Sequence, residues 1–170
     1  MTRFPVLAAI AFAAGLAAPH ASAEPRRVIL LDTQYEAEGA GETDETRAAD
    51  LKRVEMIEER LKAHVAAATA DYAVVENEAV SAEINDYNLG SCGRCELALG
   101  RKAGADFVMI TTVQKVSSIL INLQVFVYSV ADGSTVAAGG TVLHANTDAD
   151  WRRGIDSIAR NRLNLPKPPA

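Results

Sequence analysis

The sequence predicts one mixed α/β (α+β) domain, with a five-stranded sheet packed by about three to four helices. In the first half of the chain, short apolar runs alternate with amphipathic helical patterns, which favours parallel strands joined by crossovers. The stretch from 106 to 144 is instead rich in Val, Ile and Thr and has only short breaks, which favours antiparallel pairing. The two patterns together predict a mixed sheet.

Residues 1–23 have the pattern of a secretory signal peptide. Arg3 precedes an apolar run from Phe4 to Ala18, and Ala21-Ser22-Ala23 is the small-x-small sequence that signal peptidases accept. We therefore expect the mature chain to begin at Glu24. Because this residue is not cysteine, no lipid anchor is expected, and the predicted location is the periplasm.

The first half of the domain is expected to start with a strand at Arg27–Tyr35, a nearly continuous apolar run typical of a strand covered on both faces. A long helix should follow from about Thr46, with Thr43 or Asp44 as its N-cap. A second short strand is expected at Tyr72–Val75. The helix has a predicted buried stripe of apolar residues three and four apart: Leu51, Val54, Ile57, Leu61 and Val65.

Two further helices are predicted before the β-rich segment, at Ala79–Ile84 and at Cys92–Ala103, the latter stopped by Gly104 in the left-handed region. Three strands follow near 106–116, 119–130 and 134–144, and the Ala131–Ser134 break between the last two predicts a hairpin.

The last predicted helix starts after Thr147, whose hydroxyl suits an N-cap. Its buried stripe is expected to contain Trp151, Ile155, Ile158 and Leu163. Residues 165–170 are rich in proline and are expected to form a loose tail. The domain should therefore span residues 24–164.

Charge and composition narrow the class of partner. Removal of residues 1–23 takes away one of the 17 basic residues and none of the 22 acidic ones, which leaves a net charge of −6. This argues against nucleic acid or an anionic membrane as partner. A periplasmic protein or a small ligand is the expected partner, and homo-oligomer formation stays open.

The chain has two cysteines, and they form the motif Cys92-Gly93-Arg94-Cys95. In an exported protein, a disulfide between them is the expected state. The same spacing near a helix start is also typical of thiol-disulfide oxidoreductases, because the helix N-terminus and Arg94 would lower the pKa of a thiol. A structural disulfide is the preferred interpretation, and redox exchange is the alternative.

No cofactor is expected. A c-type haem is disfavoured because Glu96, not histidine, follows the second cysteine. A zinc site is disfavoured because His64 and His144 are not at ligand spacing from the cysteines, and both are expected at the surface.

The acidic segment from 36 to 45 raises the alternative of a hard-cation site such as calcium. It lacks the alternating acidic frame of a calcium loop, so an exposed loop leading into the helix is preferred. The carboxylates of the alternative site would be Glu36, Glu38, Glu42, Asp44 and Glu45.

The sequence contains no complete catalytic motif, so the leading hypothesis is a non-catalytic binding or assembly module. Polar residues within or beside apolar elements require compensation, which makes them candidates for an interaction surface. These candidates are Lys115, Asn122, Gln124, Trp151, Arg152 and Arg153. For Trp151, packing under the sheet is preferred to surface contact.

Three motifs carry a resemblance to a known family: Cys92-x-x-Cys95-Glu96, Val113–Ser117, and Asn146–Asp148 together with Trp151–Gly154. Over residues 27–163 the chain resembles a family of small exported bacterial proteins described only as a domain of unknown function, which implies no catalytic residue. More distantly it is similar to the amino-terminal domain of the Tol-Pal translocation protein and to the curli-secretion lipoprotein. These resemblances imply work through protein contacts in the cell envelope, and an accessory role beside a periplasmic quinoprotein alcohol dehydrogenase.

Overall fold

The computed structural model describes residues 24–37, 42–78, 80–84, 89 and 92–168. The six strands are β1 (Arg26–Leu30), β2 (Gln34–Ala37), β3 (Tyr72–Val75), β4 (Phe107–Lys115), β5 (Ile121–Ser129) and β6 (Thr135–Leu143). The four helices are α1 (Asp44–Ala66), α2 (Ser81–Ile84), α3 (Cys95–Lys102) and α4 (Asp148–Asn161).

The strands form one mixed sheet in the order β3-β1-β4-β5-β6, with β2 also paired to β4. The pairs β1–β3, β1–β4 and β2–β4 are parallel, whereas β4–β5 and β5–β6 are antiparallel. The predicted α/β class and its mixed sheet are confirmed. The sequence pattern correctly assigned parallel pairing to the crossover half and antiparallel pairing to the half with short connections.

The sheet has six strands rather than five because the predicted first strand is broken. Leu30 pairs with Met109 of β4, and Gln34 pairs with Thr112, so four steps along the first strand match three along β4. The chain therefore leaves the sheet after β1, and the backbone amide of Thr33 donates to Glu58 of α1 at 2.6 Å. The start of the predicted acidic loop belongs to β2 for the same reason.

Helices cover the two faces of the sheet unequally. α1 and α4 pack on one face, over a core that runs from β1 across β4 and β5 to β6. α2 and α3 pack on the other face, mainly over β1 and the first half of β4. We call the face covered by α1 and α4 the helical face. On the opposite face, we call the part formed by β5, β6 and the end of β4 the open face.

α1 begins where the sequence predicts, with Thr43 as its N-cap in a reciprocal hydrogen-bond pair with Thr46. Its buried stripe contains four of the five predicted residues and, in addition, Asp50 and His64. Leu51 is 41% exposed, and the preceding Asp50 is completely buried. The helical stripe is therefore turned so that a carboxylate, rather than a leucine, enters the interior near the start of the helix.

The other helices follow the prediction with shifted bounds. α3 starts at Cys95 instead of Cys92, because Gly93 and Arg94 both adopt the left-handed conformation, which is not helical. Gly104 after its last turn has φ +67°, as expected of a residue that ends a helix. α4 has Thr147 as N-cap, accepting a hydrogen bond from the amide of Asp150.

The segment after α4 is anchored, at least to Pro166, and this corrects the expectation of a loose tail from 165. The amide of Leu165 donates to the carbonyl of Ala159 at 2.9 Å, and the Leu165 side chain is buried. The carbonyl of Pro166 lies 2.6 Å from Nδ1 of His64. The proline-rich segment lacks helical hydrogen bonds but still packs against the domain.

Candidate functional site

Asp50 of α1 is a buried carboxylate at the centre of a polar network on the helical face. Its Oδ1 accepts hydrogen bonds from Arg53 at 2.7 Å and from the Asn146 amide at 2.8 Å. Its Oδ2 accepts from Lys115 at 2.6 Å and from the Tyr35 hydroxyl at 3.0 Å. Burial alone would raise the pKa of Asp50, but the bonds from Lys115 and Asn146 outweigh it and hold the pKa below its usual value.

A second layer of hydrogen bonds surrounds this centre. The indole Nε1 of Trp151 donates to Asn146 at 2.8 Å, so a fully buried tryptophan has its polar atom satisfied. Nε of Arg53 donates to Asp148 at 2.8 Å. We refer to this group as the Asp50 network, and its members are Tyr35, Glu42, Asp50, Arg53, Lys115, Asn146, Asp148 and Trp151.

Glu42 completes the network at the side of β2. It accepts from the Tyr35 hydroxyl at 2.6 Å and from Arg47 at 3.1 Å, and Lys115 lies 3.7 Å away. Burial and the hydrogen bonds to Glu42 and Asp50 raise the pKa of Tyr35, so this phenol stays protonated. The acids and bases of the network satisfy one another, which is the arrangement expected of a structural anchor that ties the end of β4 to α1 and α4.

The end of β4 has opposite environments on its two sides. Lys115 points into the Asp50 network, whereas the next residue, Val116, is 41% exposed. Val116 starts the short β4–β5 connection, in which Ile119 and Leu120 are 64% and 36% exposed. We call these three exposed apolar side chains the hairpin patch.

Hydrogen bonds hold the hairpin patch in a defined conformation. The amide of Val116 donates to the carbonyl of Leu120 at 2.9 Å. The hydroxyl of Ser117 accepts from the amides of Ile119 at 3.3 Å and Leu120 at 3.1 Å. These hydrogen bonds all lie within the connection, and its apolar side chains are exposed to solvent.

Asn122 and Gln124 lie on the open face, next to the hairpin patch. They alternate along β5 with Leu123 and Val125, which are completely buried on the helical face. The amide of Asn122 donates to Gln114 of β4 at 3.2 Å. These positions agree with the predicted alternation of one core face and one polar face.

Arg152 and Arg153 lie elsewhere, on the solvent side of α4. Arg153 pairs with Asp150, and Nη2 of Arg152 lies 3.5 Å from the sulfur of Met56. The six residues predicted to form one interaction surface therefore occupy three places. Two are buried in the Asp50 network, two are on the open face, and two are on α4.

The acidic segment is likewise divided. Glu42 is engaged in the network, Glu36 is exposed on β2, and Asp44 and Glu45 are exposed in the first turn of α1. Glu38 lies outside the described residues. The cation-binding alternative stays a prediction, and the residues that would carry it are not gathered around one point in the part of the chain that is described.

Cys92 and Cys95 form a disulfide, as predicted. Arg94 lies between them in the sequence. Its guanidinium donates to the carbonyl of Gly133, lies 3.3 Å from the buried Glu96, and stacks over the ring of Tyr128 at 4.9 Å. The disulfide loop therefore fastens the start of α3 to the β5–β6 turn.

His64 is completely buried, contrary to the expectation of a surface position, whereas His144 is exposed. Nδ1 of His64 lies 2.6 Å from the carbonyl oxygen of Pro166, and its Nε2 lies 2.9 Å from Oδ1 of Asp156. Arg60 also donates to Asp156, at 2.7 Å from Nη2 to Oδ2. Sequence reasoning missed this cluster because its partners come from α4 and the segment after it, about 90 to 100 residues away.

A cavity of about 180 Å³ lies at the carboxyl ends of β1 and β3, beside α1. Its wall includes Leu31 and Val75, and two polar contacts lie at its rim: Lys62 with Glu76 at 2.5 Å and Asn77 with Asp32 at 3.0 Å. Among the described residues, no helix combines the length and apolar character needed to cross a membrane.

The sequence matches the profile of one protein family, DUF3280, described as "Protein of unknown function (DUF2380)", over residues 26–163. The match confirms the resemblance to a family of unknown function. No curated protein matches the sequence significantly.

Several solved structures are similar to this chain at low identity. The LpoB C-terminal domain from Salmonella enterica is 13% identical, with coverage of 74% of this chain and 87% of that one and a TM-score of 0.44. Lipoprotein GNA1162 from Neisseria meningitidis is 14% identical, with coverage of 73% and 84% and a TM-score of 0.44. The PelC dodecamer from Paraburkholderia phytofirmans is 13% identical, with coverage of 81% of this chain and 89% of that one and a TM-score of 0.43. At these values the likeness carries no argument about function.

Proposed function

The chain belongs to the DUF3280 family of proteins of unknown function, and we propose that it is an exported, non-catalytic module that binds a partner protein. The contact surface is the hairpin patch together with the polar side chains of the open face beside it. The observation that carries the proposal is the exposure of Val116, Ile119 and Leu120 on a connection whose backbone is held by hydrogen bonds.

The apolar area of the hairpin patch supplies the driving force. Full burial of a Val, Leu or Ile side chain contributes roughly 1.5–3 kcal/mol. Three such side chains on one short connection form the kind of apolar centre that protein interfaces use, and clustered exposed apolar residues mark interaction sites. Half of the six large apolar residues exposed in the described part of the chain lie here.

The Asp50 network makes this surface preorganised. Lys115 is fixed by its ion pair with Asp50, and the hairpin patch begins at the next residue. Because the residue before the patch is held in place, few side chains and little of the loop need to become ordered on binding, which favours affinity.

The surroundings of the patch are mostly uncharged hydrogen-bonding groups. The neighbouring side chains on β5 are amides, Asn122 and Gln124, and the connection itself contains Ser117 and Ser118. An exposed charge on the same face is Glu36 of β2, in register with Gln114 of β4. Amides and hydroxyls provide the hydrogen-bonding rim that surrounds the apolar centre of an interface. Two residues of the predicted interaction surface, Asn122 and Gln124, are thus kept in the proposal, whereas Lys115 and Trp151 support it from inside the domain.

The location of the protein is part of the proposal. Residues 1–23 are proposed to be a signal peptide that directs the chain to the periplasm. The paired cysteines, Cys92 and Cys95, support this location because disulfides persist in oxidising compartments. A subunit of a periplasmic dehydrogenase system is one partner that this location would allow.

A capture experiment with matched variants tests the proposal. Tagged protein is expressed in its own cell, cross-linked in the envelope and purified, and its partners are identified by mass spectrometry. The test variant is Ile119→Asp, and the control is Leu51→Asp, which changes a leucine that is 41% exposed on α1, on the other face of the sheet. Both side chains are exposed, so both variants should keep the wild-type stability within about 0.5 kcal/mol.

We expect one stoichiometric partner with wild type and with Leu51→Asp, and its loss with Ile119→Asp. Equal recovery with Ile119→Asp would overturn the assignment of the surface. Failure of wild type to retain any partner under several cross-linkers would overturn the function itself.

A further inference from the structure

β6 is the last strand of the sheet, and one of its edges is free. Thr135–Leu143 pairs with β5 along its length, and no strand in the described ranges pairs with its other edge. A free edge presents unpaired amide and carbonyl groups, and proteins usually protect such edges with charged residues or proline. The nine residues of β6, TVAAGGTVL, contain neither.

The order of residues in β6 suits pairing with itself. In an antiparallel pair centred on Gly139, Val136 of one copy lies opposite Val142 of the other, Ala137 opposite Thr141, and Ala138 opposite Gly140. Directly opposite residues of an antiparallel pair share a face of the sheet and contact each other. β6 itself brings no charged side chain to the pair, and the charged residue near the axis is Arg162, whose Cβ and Cγ lie against Gly139 on the helical face.

Exposure points to the same register. Val136 and Val142 are the two large apolar residues of β6 that are exposed, at 49% and 44%. They are placed symmetrically about Gly139, so a two-fold axis there sets each exposed valine beside an exposed valine of the other copy. The register shift between β5 and β6 falls at Val136 itself, which has no partner on β5, and the pairing is regular from Ala137 to Leu143.

Only the edge of β6, and not its helical face, is available for this contact. A Cβ atom added to Gly139 would lie 2.5 Å from Cβ of Arg162, because the end of α4 approaches the strand closely there. The helical face of the strand centre is therefore occupied by the chain itself. Gly139 is required for that approach and is a poor position for a test substitution.

We propose that two copies of this chain pair antiparallel through the free edges of β6, about a two-fold axis at Gly139, and form one continuous sheet. The pairing is independent of the hairpin patch, which lies on the β4–β5 connection. In the pair, the two hairpin patches lie at opposite ends of the β6–β6 junction. Each dimer thus presents two partner-binding surfaces.

Self-association of the purified chain tests the pairing without any partner. Sedimentation equilibrium over a concentration series should show a monomer–dimer equilibrium for wild type. A lysine on the edge blocks strand pairing, so Val142→Lys should weaken dimer formation by at least about tenfold. Leu51→Lys, at an equally exposed apolar position on α1, should leave it unchanged, and circular dichroism checks that both variants are folded.

Cysteine cross-linking tests the register. A mixture of the Val136→Cys and Val142→Cys variants should form a disulfide-linked dimer under mild oxidation, because the two positions face each other across the axis. Either variant alone should form far less. The proposal is overturned if wild type stays monomeric at all concentrations, if Val142→Lys dimerises like wild type, or if the mixture cross-links no better than the single variants.

Discussion

The two faces of the antiparallel half of the sheet use alternate residues of the same strands for different purposes. On the helical face, Leu123 and Val125 are completely buried beneath α1 and α4, and Lys115 enters the Asp50 network. On the open face, Gln124 and Val116 are exposed. Groups that stabilise the fold and groups proposed to bind a partner are therefore one residue apart along a strand, so adjacent substitutions should have very different effects.

The largest expected effect is on the helical face, at Asp50. The Asp50→Ala variant leaves Lys115 buried without its main partner, and loss of one member of a buried ion pair costs about 3–5 kcal/mol. Urea unfolding measures the loss. Val116→Ser changes the exposed residue that follows Lys115 and should lower the free energy of unfolding by less than about 0.5 kcal/mol. An equally large loss in this variant would contradict the difference between the two faces.

The double variant Asp50→Leu with Lys115→Leu sharpens this result. It removes both charges and fills the space with apolar groups, so it should recover much of the stability lost by Asp50→Ala. If the double variant is less stable than Asp50→Ala, the network stabilises the protein through the hydrogen bonds of Asp50 to Tyr35, Arg53 and Asn146 rather than through this ion pair.

The next effect is at Leu123 and Gln124, neighbours on β5. Leu123→Ala removes a completely buried side chain and should lower the free energy of unfolding by about 2–5 kcal/mol. Gln124→Ala should change it by less than about 0.5 kcal/mol. Thermal and urea unfolding of both variants measure the contrast, and similar losses would show that the open face is covered in solution.

A smaller effect on stability is expected at the disulfide, next to α3, which packs on the face of the sheet opposite the helical face. Replacement of Cys92 and Cys95 by serine opens a very short loop, so the loss should be about 2 kcal/mol or less. Partner capture should persist, because the hairpin patch is elsewhere. The redox alternative is favoured instead if the reduction potential of the pair is near −120 to −200 mV, whereas a structural disulfide lies below about −300 mV.

The weakest expected effect is a change in acid sensitivity at Asp156 of α4. Burial alone would raise the pKa of this carboxyl, but hydrogen bonds from Arg60 and His64 outweigh it and hold the pKa below its usual 3.8. The unfolded chain therefore binds the proton first as the pH falls, and the stabilisation present at neutral pH is lost below about pH 4.

The Asp156→Asn variant should be less stable than wild type at neutral pH and should lose less stability on acidification. Melting temperatures from pH 7 to pH 3 measure both differences. Ser157→Ala on the same helix removes no titrating group and is the control. Parallel pH profiles for wild type and Asp156→Asn would exclude this carboxylate as a source of acid sensitivity.

The candidate surface was predictable only in part. The alternation along β5 placed Asn122 and Gln124 on a polar face, but the same reasoning selected Lys115 and Trp151, which are buried. A polar residue beside an apolar run signals that compensation exists, and the sequence does not say whether it comes from a partner or from inside the domain. For Lys115, the compensating carboxylate lies 65 residues earlier in the chain.

The class of the sheet and the positions of most elements follow from the amino-acid sequence alone, because the periods of strands and helices and the capping at Thr43 and Thr147 are local properties. The three-dimensional fold was needed to show that the first strand breaks after Leu30 and that Asp50 and His64 are interior groups. It also decided which sheet face stays open. These outcomes depend on which distant segments meet, and contacts between residues far apart in the chain leave no periodic signal in either segment.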